Sequence, residues 1–192
     1  MTSPTGPTPQ DAYAAPPASL SLRFAAPDRV DPPRIADEKS SLTAYLEFYR
    51  ATLEAKCSGL TADQLNDRSI WPSTMSLHGL VRHLAGVERW WFRINFAHEA
   101  VPMLFYTDEE PDLDFDGLAD DPLADLAIWR SECEESRRVV AAAGLDDTGA
   151  MIMGAHDAFS LRWLMLRMIS EYAQHCGHAD LLRERADGST GA

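Results

Sequence analysis

The sequence predicts an all-α protein, a four-helix bundle with one long crossover connection. Three observations lead there. Four long stretches carry apolar residues at spacings of three and four, the helical period. The connection from Glu99 to Asp121, "EAVPMLFYTDEEPDLDFDGLADD", is too long for a tight helical hairpin and suits a crossover or a cover over a pocket. The 192 residues, 45% of them hydrophobic, suffice for one domain with a proper core and contain no internal repeat.

Residues 1–36 are rich in Pro, Ala, Ser and Thr, as in "APPASL" and "DPPRI", and read as a disordered tail that becomes extended where it meets the domain. The bundle then occupies residues 37–192. Its first helix runs from about Glu38 to Ser58 on Leu42, Tyr45, Leu46, Tyr49 and Leu53, with Gly59 to stop it. "TADQ" at 61–64 is a capping box that starts a short turn, and "WPSTMS" is a loop. The second helix spans roughly Ser76 to His98. Asp121 and Pro122 suit the N-cap and first position of the third, which ends near Gly144. The linker "GLDDTGAMIMGAHDAF" holds at most a short extended piece at Met151–Met153 and is not expected to form a sheet. Ser160 caps the fourth helix, which reaches about Ala186 and stops at Gly188.

The formal net charge of -13 disfavours nucleic acid and anionic membrane surfaces. No apolar run approaches the ~20 residues of a membrane span, and the N-terminus has no secretory pattern. A cytoplasmic location is expected. Cys57, Cys133 and Cys176 lack CxxC spacing and read as buried free thiols.

The inward stripe of the fourth helix is Leu161, Leu164, Met168, Glu171, His175, His178 and Leu182. Its middle three members are polar. Glu171 and His175 lie one turn apart, about 40° around the axis, the spacing by which two helical ligands grip one metal ion. An unpaired buried carboxylate is costly, and a cation removes that cost. The second helix offers a third ligand in His83, on the stripe Leu80, His83, Val87, Trp90 and Ile94. His78 points elsewhere on that helix, His98 is too distant, and His156 falls in a loop. One carboxylate and two imidazoles suit Zn2+ with a fourth position free for a reactant. Ni2+ and Fe2+ accept the same donors, so the metal stays open. The acidic connection lacks the EF-hand order and reads as a solvated linker or lid. Cys176 and His175 diverge by about 100° on the helix and do not form a dyad. No nucleophile elbow, P-loop or dinucleotide fingerprint is present.

"LHGLVRHLAGVERWWFR", followed by "SLRWLMLRMISEYAQHCGHADLLRERADG", resembles the DinB-like metal-binding four-helix bundle superfamily, in an actinobacterial branch similar to mycothiol-dependent S-transferases. "RATLEAKCSGLTADQL" and "PSTMSLHGLVRHL" fit the same pattern, which spans Asp31 to Gly191. The resemblance implies metal ligands at His83, Glu171 and His175, with Glu and His on the last helix as in the mycothiol-dependent maleylpyruvate isomerases. It makes His178 a recurring neighbour of the site and a candidate catalytic group. Arg167 and Ser170 depart from the branch, where His and Glu are usual, and bear on the substrate rather than the metal. The implied reaction is transfer of mycothiol or a related low-molecular-weight thiol to an electrophilic small molecule, as in detoxification. Arg82 and Arg162 are candidate anion contacts, and Trp71, Trp90 and Trp163 candidate pocket walls. Two other readings stand beside this one: a hydrolase or isomerase using metal-activated water, and a non-enzymatic metal-binding stress protein. The apolar bundle faces are compatible with a homodimer.

Overall fold

The computed structural model describes residues 27–191 apart from 108, 119, 120 and 151–157. Six helices follow in order: α1 (Glu38–Cys57), α2 (Ala62–Asn66), α3 (Leu77–Glu88), α4 (Leu113–Asp116), α5 (Pro122–Ala142) and α6 (Leu161–Asp187). The four long ones form the bundle, with α1 along α6 and α3 along α5. Their core is built on Leu46, Leu53, Leu80, Leu84, Phe92, Leu126, Leu164, Met165 and Met168, all buried.

Local chemistry sets the element ends. Asp37 accepts the Ser40 amide at the start of α1. Thr61 and Gln64 close a reciprocal capping box on α2. Asp121 accepts the amides of Leu123 and Ala124, with Pro122 at the first position of α5. Ser160 accepts the Trp163 amide, and Gly188, at φ 79°, terminates α6 in the left-handed region.

Two expectations need correction. The second bundle helix is α-helical only to Glu88 and continues to Phe96 as a π-helix. Inside that widened turn the Asn95 side-chain amide donates to the Trp90 carbonyl at 2.7 Å, so the α-helical stripe does not extend past Glu88. The linker before α6 does form a sheet: β1 (Thr148–Ala150) pairs antiparallel with β2 (Ala158–Ser160), with Gly149 opposite Phe159. Gly149 lies against the π-helix backbone, where an added Cβ would come within 2.6 Å of the Phe96 Cα. The acidic connection, expected as a solvated linker or lid, packs against the bundle. It lies along α3, seating Tyr106 against Gly86 and Phe115 against Gly79, where a Cβ would meet those rings at 2.8 and 2.6 Å. Gly79 and Gly86 are seven residues apart and share one face of α3, so the missing side chains let the connection approach closely. Met151–Met153, His156 and most of the expected N-terminal tail lie outside the described residues.

Candidate metal centre

Glu171, His175 and His178 recur at four and three residues on α6 and therefore line one face, and His83 faces them from α3. The geometry brings His83, Glu171 and His175 together: one ligand atom from each lies within 4.8 Å of the other two. Glu171 Oε1 stands 3.3 Å from His83 Nε2 and 3.2 Å from His175 Nε2. The rings of His83 and His175 are tilted neighbours with centroids 4.8 Å apart. His178 Nδ1 shares a hydrogen bond with His175 Nδ1 at 3.3 Å.

The electrostatics follow from this crowding. Hydrogen bonds from His175 and His83, with Arg167 behind them, hold the Glu171 carboxyl far below the usual carboxylate range. Burial disfavours the charged form of His83, but its hydrogen bonds to Asp114 and Glu171 outweigh that and push it up to about 9. Burial, and then the neighbouring His175, hold His178 below the ordinary imidazole value.

Two residues join the site that sequence reasoning did not place there. Arg167 donates to Glu171 Oε2 from one turn earlier on α6, a contact legible in the i,i+4 spacing. Asp114, buried on α4, accepts from His83 Nδ1 at 2.8 Å. Its signal was "DLDFD": Leu113 and Phe115 among the acids mark a turn that packs rather than floats.

The remaining candidates lie elsewhere. Arg82 is buried, pairs with Asp125 at 2.9 Å, donates to the carbonyls of Asp114 and Leu113, and stacks on Phe105. Arg162 pairs on the surface with Glu38 and Asp146. His78 is enclosed between Asn66 and Asp125, and His98 is exposed. Trp71 is exposed, Trp90 is half-buried, and Trp163 packs edge-on against Trp91. All three cysteines are free and buried; burial pushes Cys57 and Cys176 up to about 12. Among the described residues no helix is long and apolar enough to cross a membrane.

The donor set fits a divalent ion. Two imidazole nitrogens and a carboxylate oxygen face one point, and each imidazole's other nitrogen is engaged by a neighbour, His83 by Asp114 and His175 by His178. A search of curated proteins finds no significant match. The family model of the mycothiol S-transferases matches residues 41–188, more than three quarters of the sequence and every residue of this cluster. On that match, and on the helical bundle that carries it, the chain belongs to the mycothiol S-transferase family.

Proposed function

We propose that the protein is a metal-dependent thiol S-transferase that joins mycothiol, or a closely related low-molecular-weight thiol, to an electrophilic carbon of a small molecule. The observation that carries this reading is the convergence of His83 Nε2, Glu171 Oε1 and His175 Nε2 in a chain of the mycothiol S-transferase family. These three residues would hold the ion, Zn2+, whose chemistry is to bind a thiol sulfur and lower its pKa so that it reacts as thiolate near neutral pH.

The chain's own residues prepare that step. Glu171 keeps Oε1 toward the two imidazoles because Arg167 takes Oε2. When His175 presents Nε2 to the cluster, its proton sits on Nδ1 and is donated to His178 Nδ1. His178 is then neutral, with its Nε2–H left as a donor for the bound reactants. The guanidinium beside the cluster is Arg167, since Arg82 and Arg162 are engaged by other carboxylates. Arg167 is two-fifths exposed, so it can face solvent and an incoming anionic group as well as Glu171. In the reaction the thiol proton passes to solvent, the S–C bond forms, and the bond from that carbon to the leaving group breaks, the leaving group taking the electron pair. Three buried free cysteines suit the reducing cytoplasm.

The test is turnover of a panel of electrophiles by zinc-loaded protein, with and without mycothiol, alongside His83→Ala and Glu171→Ala. Thiol-dependent consumption lost in both variants is expected. Equal rates with and without mycothiol overturn the transferase reading in favour of water activation.

A further inference from the structure

The acidic connection carries one carboxylate into the interior beside the cluster. Asp114 is buried, and its two oxygens have distinct partners: Oδ2 accepts from His83 Nδ1 at 2.8 Å, and Oδ1 accepts from the Phe115 amide at 3.0 Å. The backbone that presents it is held independently. Arg82 donates Nε to the Asp114 carbonyl at 3.1 Å and Nη2 to the Leu113 carbonyl at 3.0 Å, while its Nη1 is anchored on Asp125 at 2.9 Å. Phe115 lies in the notch at Gly79 and stacks on the His83 ring, with centroids 5.4 Å apart and planes at 29°. The imidazole is thus fixed on one face by a ring and at Nδ1 by a carboxylate.

We infer that Asp114 is a positioning residue for His83: it accepts the Nδ1 proton, so that the Nε2 lone pair is the one aimed at Glu171 and His175. A histidine in this state is a better and better-oriented ligand than one free to choose its tautomer. The connection therefore has a specific task in the site, and Arg82 serves it by fixing the two carbonyls that flank the Asp114 side chain. This rests on the metal-binding reading of the cluster.

The experiment is zinc affinity by competition with a chromophoric chelator, on wild type, Asp114→Ala, Asp114→Asn and His83→Ala, each checked for helicity by circular dichroism. Asn offers a carbonyl oxygen of the same shape, so it retains an acceptor without the charge. The dissociation constant for zinc should rise about 10- to 100-fold in Asp114→Ala and by less in Asp114→Asn. Nitrogen-15 spectra of the zinc-loaded wild type should show His83 with its proton on Nδ1. An unchanged zinc affinity in folded Asp114→Ala overturns the positioning role, and so does a His83 proton on Nε2. If His83→Ala loses zinc while Asp114→Ala keeps it, the metal reading survives and this inference alone fails. If wild type itself takes up no zinc, both fall.

Discussion

Glu171 and Tyr172 are consecutive on α6 yet serve two different buried polar clusters. Tyr172 joins a closed network. Its hydroxyl donates to Glu88 at 2.7 Å and accepts from Trp129 Nε1 at 2.9 Å, and Glu88 takes a bidentate pair from Arg50 at 2.8 and 2.7 Å. These four residues come one from each long helix, so the network ties the whole bundle together. Glu171 joins a convergent cluster instead. One of its oxygens faces two imidazole nitrogens at 3.2 and 3.3 Å, longer than any of those four contacts. Glu88 Oε1 also accepts from two donors, Arg50 Nε and the Tyr172 hydroxyl, but at the short distances of a satisfied hydrogen-bond network. Ligands to an ion crowd around one point. Burial alone does not separate the two clusters; contact length and the chemistry of the groups that converge do.

The first way to break this comparison is to disrupt the closed network. Glu88→Ala removes the bidentate partner of the buried Arg50 guanidinium, leaving it only Glu47, and urea unfolding should show a loss of up to about 3–5 kcal/mol. Zinc bound per folded molecule should stay the same. A loss below about 1 kcal/mol would mean that the network is not what holds the four helices. The second is to load the convergent cluster. Zinc at a hundredfold excess over its dissociation constant should stabilise wild type by about 2.7 kcal/mol, read as a rise in Tm, and should leave His175→Ala unmoved. An equal rise in both would place the ion elsewhere.

The third sharpens the comparison through pH. His83 is pushed up to about 9 in the metal-free protein, so it carries a proton at pH 7. Ligation needs its neutral form, and metal binding must displace that proton. Zinc affinity should therefore rise with pH from 7 toward 9, by up to about tenfold, or about 1.4 kcal/mol, per unit, and flatten above. Chelator competition at pH 7 and 8 checks it; identical affinities would show that no proton leaves His83 on binding.

Much of the convergent cluster was legible in the sequence because most of it lies on one helix. The 171–175–178 spacing follows from helical period alone, and Arg167 four residues before Glu171 obeys the same rule. His83 was reachable because the apolar stripe of its helix pointed it inward. The closed network was not legible: Arg50, Glu88, Trp129 and Tyr172 each read as ordinary members of their own helices. Asp114 was likewise one acid among many in an acidic stretch. The widened π turn after Glu88 was not legible either; Gly149 of β1 lies against it at Phe96.

The sequence by itself determined the four long helices, the caps at Thr61, Asp121 and Ser160, the stop at Gly188, and the polar face of α6. These depend on hydrogen bonds and side-chain spacing within a few residues of chain. Only the tertiary structure decided which carboxylate of the connection meets His83, which helices share the Glu88 network, and where Arg82 spends its donors. Those outcomes depend on how closely separate segments approach, and that is set by the packing of glycine notches and rings across elements distant in sequence.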